Sequence, residues 1–219
     1  YNGVITPFRN PSYNNTLGYD ASIFIPNNAA QNYLNNGATS ANIRVTTTSE
    51  TILSRVITSA VDIYEPDLRA TVFVNDLNGG AVAPGDILEY TISGKNIGSD
   101  VAVNCFITDT LDIRTDYVPN SLVVLNGPNA GPKTDAAGDD QAEYNSATRF
   151  VKYRVGSGAS ASSGGSMINT TLDSVLVKFQ VQVSNDCLIL KCDSTLENKA
   201  YIFGTGTLSG NTVTNNGTS

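Results

Sequence analysis

The sequence of 219 residues predicts an all-β fold in the form of an antiparallel β-sandwich. Apolar and polar residues alternate with a period of two along many short segments, as they do in half-buried strands. Clusters of Gly, Asn, Pro and Asp separate these segments, as expected for short sandwich strands joined by turns. Helical periodicity is scarce, so we expect strands to dominate the structure.

The predicted strands follow one another along the whole chain. The most regular is VLVKFQVQV (175–183), whose odd-numbered residues are all Val or Phe, whereas Lys178, Gln180 and Gln182 lie on the other face. The same alternation predicts further strands, in chain order, in ANIRVTTT (41–48), ILSRVITSA (52–60), RATVFVND (69–76), ILEYTIS (87–93), VAVNCFI (101–107), SLVVLNG (121–127), RFVKYRV (149–155) and KAYIFGTG (199–206).

A domain boundary is predicted between residues 61 and 62. Pro66 cannot donate to a strand ladder and is flanked by Glu65 and Asp67, so regular pairing should stop near it. Residues 1–61 hold too few strands to close a sandwich alone. We interpret them as the tail of a preceding β domain or as strands that complete a neighbour, and residues 62–219 as one sandwich. The Ser/Gly run at 156–166 is then a loop within that sandwich, because strands flank it on both sides.

Composition and charge exclude several classes of partner. Only 15% of the residues are charged and the net charge is −7, so phosphate backbones and anionic lipid surfaces would be repelled. No apolar run approaches the roughly 20 residues of a membrane-spanning helix. The first residue is Tyr1 rather than Met, and we expect a processed product or part of a longer protein.

Enzymatic chemistry is not expected. The chain contains no His, which removes Ser-His-Asp and Cys-His relays and the usual base at neutral pH. No G-x-S-x-G elbow, P-loop or dinucleotide fingerprint is present. The carboxylate pairs Asp139–Asp140 and Asp109–Asp112 are interpreted as solvated turn residues, with no apolar pocket nearby to raise their pKa values.

Calcium is the one cofactor that the sequence suggests. Asp135, Asp139, Asp140 and Glu143 fall within one short loop, and hard oxygen ligands from one loop suit Ca²⁺. A second candidate joins Asp76 and Asn78 with Asp86. Neither has the EF-hand spacing, and the alternative is that these Asp, Asn and Gly residues simply form turns.

Cysteine and lysine residues suggest two covalent links. Cys187 and Cys192 flank the short segment LILK, and a local disulfide between them is predicted for an exported protein, with two free thiols as the alternative. Cys105 is expected to act as a small buried hydrophobe. Zinc is not expected without His or a fourth Cys. A Lys–Asn isopeptide bond using Lys95 or Lys178 with Asn198 is a further hypothesis.

Three tyrosines are candidate contact residues. Tyr13, Tyr19 and Tyr33 stand among Asn and Gly residues, where an aromatic ring can stack on a sugar or pack against a neighbouring chain. The alternative is that they cover an edge of their own domain.

The second segment resembles a bacterial surface-repeat family catalogued as the eleventh domain of unknown function. The matching stretches are VDIYEPDLRATVFVNDLNGG, PGDILEYTISGKNIGSDVAVNCFITDTL, YVPNSL, DDQAEYN, VLVKFQVQV and LENKAYIFGTGTLSGNTVTNNGTS, in the order of the family. The stretches RNPSYNNTLGYDASIF and NGATSANIRVTTTSE resemble the tail of a module that often precedes this repeat.

The resemblance implies an immunoglobulin-like module strung in tandem in large exported adhesins, some of them exported by the type IX secretion route. It implies an extracellular, structural and adhesive role at the bacterial cell surface. We expect neighbouring modules or identical subunits as its partners, with surface glycans as further partners. Residues 1–61 could pair with a neighbouring subunit by strand addition, because an incomplete sandwich exposes strand edges. The alternative function is a carbohydrate-binding or accessory immunoglobulin-like domain of a secreted protein.

Overall fold

The structure is a computed structural model, and it describes residues 5–6, 21–28, 33–35, 38–49, 51, 53–170, 174–191 and 195–219. The chain divides into two compact units, Tyr1–Ile57 and Thr58–Ser219. In the first unit, the short strands β1 (Ile5–Thr6) and β2 (Ala21–Ser22) pair in parallel.

The second unit is built from two antiparallel sheets. The first sheet has the order β3–β4–β12–β7–β8, with β6 also paired to β12. Its strands are β3 (Leu68–Asp76), β4 (Ile87–Asn96), β6 (Thr115–Tyr117), β7 (Val123–Asn126), β8 (Gly131–Pro132) and β12 (Val175–Val183). The second sheet has the order β14–β13–β5–β10–β9, with β11 also paired to β5. Its strands are β5 (Ala102–Thr110), β9 (Ala142–Asn145), β10 (Phe150–Arg154), β11 (Gly165–Met167), β13 (Lys199–Gly206) and β14 (Thr212–Thr218).

The core forms where the inward residues of the two sheets meet. In β12 the odd-numbered residues are buried along the strand, as the sequence predicts. Ile92 of β4 and Phe179 of β12 meet Ile107 of β5 and Ile202 of β13 in one buried cluster. Burying one such side chain fully stabilises the fold by roughly 1.5–3 kcal/mol. The all-β sandwich prediction is confirmed, and the one short helix of the described residues is α1 (Cys187–Leu190).

The motif PGD precedes β4 and fixes the entry to this strand. Gly85 adopts a positive φ of 90°, its N–H donates to the Val183 carbonyl, and a Cβ at this position would lie 2.9 Å from Asn185 Oδ1. Asp86 Oδ2 accepts a hydrogen bond from the N–H of Ala83. The turn is thus tied to the end of β12, which sets where β4 begins.

The motif NIGSD connects β4 of the first sheet to β5 of the second and holds the start of β3. Buried Asn96 accepts hydrogen bonds from the N–H groups of Asp67 and Gly98, and its amide donates to the carbonyls of Asp100 and Met167. Asp100 accepts from Thr207 Oγ1 and from the N–H groups of Leu208 and Ser209. Burial alone would raise the pKa of Asp100, but these donors lower it below its ordinary value.

The Ser/Gly run belongs to the sandwich rather than to a linker. Ser157 and Ser166 form an isolated bridge, and β11 at the end of the run pairs with β5. A Cβ at Gly164 would lie 2.4 Å from the carbonyl oxygen of Cys105, so this loop packs directly on the sheet.

Two of the predicted strands are wrong for the residues that the structure describes. Residues 41–48 form no strand, and neither do residues 53–60, the described part of the predicted strand 52–60. Alternation makes a strand only where another strand supplies hydrogen bonds, and no strand of the described residues pairs with either segment. Conversely, β14 was not expected, because its Thr and Asn residues lack the apolar alternation of a half-buried strand. No helix in the described part of the chain is long and apolar enough to cross a bilayer.

Candidate functional site

The acidic loop proposed for calcium is held by protein donors. Asp135 accepts hydrogen bonds from Tyr117 Oη at 2.5 Å and from the N–H of Asn120 at 2.9 Å. Burial of the ring, together with this carboxylate, raises the pKa of Tyr117 above its ordinary range. Asp135 therefore fastens its loop to β6, a role that the sequence did not indicate.

The other three acidic residues of the loop also have local partners. Asp139 accepts from Thr134 Oγ1 at 2.6 Å, and Asp140 accepts from the N–H groups of Thr134 and Ala142. Glu143 pairs with Arg154 at 3.0 Å. In the described residues no three His, Cys, Asp or Glu side chains converge as metal ligands, so the calcium site stays a prediction without support from this geometry.

The second calcium candidate has the hydrogen bonds of turn residues. Asp76 Oδ1 accepts from the N–H of Asn78, and Asn78 Oδ1 accepts from the N–H of Ile87. Asp86 caps its own turn through Ala83, as described above. These contacts agree with the alternative that Asp and Asn here form turns.

Asp109 lies in a different environment from the solvated turn that the sequence suggested. It is 1% exposed on the inner face of β5, and its Oδ2 accepts from Asn198 Nδ2 at 2.7 Å while its Oδ1 is buried without a hydrogen-bond partner. Burial raises its pKa to about 7, although the Asn198 bond opposes this. The prediction of a solvated carboxylate is wrong. Asp109 is an odd-numbered residue of β5, like the buried Cys105 and Ile107, and its side chain therefore points into the core.

The residues proposed for an isopeptide bond are not brought together. Asn198 has a buried carboxylate beside it, but Lys95 is exposed and Lys178 Nζ pairs with Glu89 Oε2 at 2.9 Å on the outer face of the first sheet. Hydrogen bonds from Gln180 and Lys178 lower the pKa of Glu89. The outward position predicted for Lys178 is confirmed, and the link itself stays a hypothesis.

The cysteine and tyrosine predictions are only partly within the described residues. Cys105 is buried in β5, as expected, and Cys187 is exposed at the start of α1. Cys192 lies outside the described residues, so the disulfide stays a prediction. Tyr13 and Tyr19 also lie outside them, while the side chain of Tyr33 is 71% exposed.

An apolar groove opens at one end of the second unit beside the edge strand β3. Its cavity measures about 460 Å³. The lining comes from β3, β4, the end of β12, α1 and the chain end after β14, and it consists of Val74, Val82, Ala83, Pro84, Leu88, Tyr90, Val183, Cys187, Leu190, Leu196 and Ser219. Burial, followed by the charges of Asp109 and Asp112, raises the pKa of Tyr90 to about 12.

Strand β3 leaves part of its backbone edge open next to this groove. Among the described strands, β3 pairs with β4 alone, and on its other edge the N–H of Ala70 donates to Asn215 Oδ1 of β14 at 3.4 Å. In an antiparallel strand, residues of one parity point their N–H and C=O groups to the same edge. Val72 and Val74 share the parity of Ala70, but Val72 is buried, so it is the exposed Val74 that presents its backbone groups on the side where the groove lies.

A solvent-exposed apolar stripe precedes β3 in the chain. Leu53, Ile57, Val61 and Ile63 are exposed by 83%, 52%, 60% and 79%. Among the described residues, the end of the segment is anchored, because the Ile63 carbonyl accepts from Ser99 Oγ. We name residues 53–64 the apolar segment. Arg55 and Ser59 interrupt its alternation, which is regular only at the end, where Val61 and Ile63 flank Asp62, and it has no strand partner in the described part of the chain.

No family model and no curated protein match this sequence. Among solved structures, the major pilin SpaD of Corynebacterium diphtheriae aligns with 69% of this chain and 34% of its own, at 15% identity and a TM-score of 0.44. The collagen-binding domain of the surface protein RspB of Erysipelothrix rhusiopathiae aligns with 68% of this chain and 44% of its own, at 12% identity and a TM-score of 0.39. The chain thus spans less than half the length of these two proteins.

Proposed function

We propose that this chain is a non-catalytic structural and adhesive module of a large bacterial surface protein or fibre, and that copies of it join by β-strand pairing. We also propose that it belongs to the surface-repeat family that its sequence resembles, and that it acts outside the cell. A surface that relies on Asn, Ser and Thr, with only 15% charged residues, supports the extracellular location.

One observation carries the proposal: a run of exposed apolar side chains stands in solvent on a molecule that also has an edge strand beside an apolar groove. Monomeric proteins rarely leave contiguous apolar surface exposed, and such patches mark interaction sites. Exposed strand edges are in turn templates for pairing with another chain.

The two features are complementary. If the end of the apolar segment of one copy adds to β3 of the next, its N–H and C=O groups pair with those of Val74. Val61 and Ile63 then point into the groove, and the even-numbered Thr58, Ala60 and Asp62 face water. The occupant of the groove is therefore the same segment of a neighbouring copy, and repetition of this contact gives an open chain of modules.

The test is sedimentation of the full chain over a range of concentrations. We expect the parent protein to self-associate and the double variant Val61→Lys with Ile63→Lys to remain monomeric, because both lysines would have to enter the apolar groove. Both side chains are more than half exposed, so the substitutions should leave the melting temperature of the monomer unchanged.

The matched control is Thr58→Lys with Ala60→Lys, which adds the same charge to the other face of the same segment. We expect this control to associate like the parent protein. A parent protein that stays monomeric at high concentration contradicts the proposal, and so does equal loss of association in both double variants.

A further inference from the structure

A row of aromatic rings crosses the outer face of the second sheet and has a lysine at each end. The Phe106 and Phe203 rings stack with centroids 5.2 Å apart, and Tyr201 follows Phe203 at 6.2 Å. Lys152 Nζ lies 4.9 Å from the Phe106 centroid, and Lys199 Nζ lies 5.4 Å from that of Tyr201. We name these five residues the aromatic row.

The strand alternation places the aromatic row outside the core. In β13 the buried residues are Ala200, Ile202, Gly204 and Gly206, so Tyr201 and Phe203 point away from the sandwich. Phe106 is directly opposite Phe203 in the sheet register and shares its face. All three rings are half-buried side by side, so each keeps part of its surface in contact with solvent.

Lys152 and Lys199 each lie over an aromatic ring and take part in none of the ion pairs of the described residues. Those ion pairs are Arg69–Asp67, Arg114–Asp112, Arg149–Asp116, Arg154–Glu143 and Lys178–Glu89. Glu143 lies opposite Lys152 in the sheet register, but its carboxylate pairs with Arg154. In a chain with net charge −7, the aromatic row therefore carries two positive charges outside these ion pairs. Such a face attracts anions.

Neutral hydrogen-bonding side chains lie along the same face. Thr214, Asn216 and Thr218 of β14 are exposed and stand opposite Phe203, Tyr201 and Lys199 in the register. From β14 to β10 the face spans three strand spacings, or about 14 Å. It thus combines apolar ring surface, hydroxyl and amide groups, and cations in an open strip.

We propose that this face binds an acidic polysaccharide. The rings would pack against the C–H faces of sugar units, Thr214, Asn216 and Thr218 would bond their hydroxyls, and the two lysines would pair with carboxylates along the polymer. The inference gives a ligand class to the proposed adhesive role and uses a face distinct from the edge of β3.

The test is calorimetric titration of the full chain with polygalacturonate, alginate and hyaluronate, beside neutral dextran and poly-glutamate. We expect binding to at least one acidic polysaccharide, none to dextran, and much weaker binding to poly-glutamate, which has the charge without sugar rings. Raising the salt to about 0.5 M should weaken binding, because it screens the lysine contacts.

Tyr201→Ala and the pair Lys152→Gln with Lys199→Gln should each weaken binding about tenfold or more. The control Phe73→Ala, which removes a 57% exposed ring from β3 in the first sheet, should change nothing. The lysine pair keeps the inference testable if Tyr201→Ala fails to fold. Failure of all three acidic polysaccharides to bind overturns the inference, as does equal binding of dextran or poly-glutamate.

The variant Val61→Lys with Ile63→Lys should keep glycan binding while losing self-association, so the two proposals fail separately.

Discussion

Asp109 lies on the inner face of β5, and its Oδ2 accepts a hydrogen bond from Asn198 of the adjoining segment. Leaving Oδ1 buried without a partner costs free energy, and the cost is larger when the carboxyl group is charged. Because burial favours the neutral acid, it raises the pKa of Asp109 to about 7. Near neutral pH, a small change in pH therefore alters the charge of the core.

This residue predicts an unusual pH dependence of stability. An Asp in an unfolded chain has a pKa near 3.9. Between about pH 4 and pH 7 the folded state holds a proton that the unfolded chain has released, so the free energy of unfolding falls as pH rises. The loss is at most ~4 kcal/mol over this interval, and stability should be level above it.

Asp109→Asn should remove this slope. The amide has the same shape, can still accept from Asn198, and does not titrate, so the melting temperature should stay level from pH 5 to pH 8 while that of the parent protein falls. Asp116→Asn, at a side chain that is 73% exposed, is the matched control and should keep the slope of the parent protein. Equal slopes in Asp109→Asn and the parent protein would contradict this account of Asp109.

At the scale of elements, the turn between β4 and β5 holds the start of β3. A Cβ at Gly98 would lie 2.2 Å from the Asp67 nitrogen and 2.3 Å from the Glu65 carbonyl oxygen, so the backbone before β3 passes directly over this glycine. The N–H groups of Ile97 and Ser99 add hydrogen bonds to the carbonyls of Asp67 and Glu65. The turn thus positions β3, whose free edge is the proposed pairing site.

Gly98→Ala should destabilise the sandwich by about 1–3 kcal/mol, because the added methyl group displaces backbone rather than a flexible side chain. Ile97→Ala, one residue earlier at a side chain that is 45% exposed, should cost less than about 0.5 kcal/mol. Urea unfolding of both variants measures the difference. Equal stabilities would show that the chain before β3 does not depend on this turn.

Strands that carry a strong apolar alternation could be predicted from the sequence, and those that rely on neighbours could not. β12 matches its predicted segment because each odd-numbered residue is apolar. β14 is held by β13 and has mainly Thr and Asn on its faces, so no local pattern indicated it. Residues 53–60 form no strand, since their apolar residues do not alternate regularly and no described strand pairs with them.

The candidate site was less predictable, because its parts come from distant segments. The groove joins β3, β4, α1 and the chain end, and no local spacing brings these together. The buried position of Asp109 did have a signal, since it shares the parity of Cys105 and Ile107 in β5. The acidic residues of the loop were clustered in sequence, but Asp135 holds the loop to β6, and the other three accept from or pair with protein groups.

At the scale of the whole molecule, the chain combines a closed sandwich core with surfaces that suit contact with other molecules. The edge of β3 and the apolar segment suit pairing between copies, and the aromatic row lies on a different face of the sandwich. A net charge of −7 opposes close approach of two copies, so the proposed association should strengthen as salt screens that repulsion. Glycan binding should show the opposite salt dependence, and this contrast separates the two surfaces in one titration series.

The central claim is that the apolar segment becomes a strand of a neighbouring copy, and hydrogen exchange of its backbone amides tests this most directly. In dilute solution, amides 53–62 should exchange rapidly, because these residues lie exposed and outside any strand. At concentrations where the chain associates, alternate amides at the end of the segment and that of Val74 should become protected together. Rapid exchange of the segment at every concentration, while the chain associates, would contradict the claim.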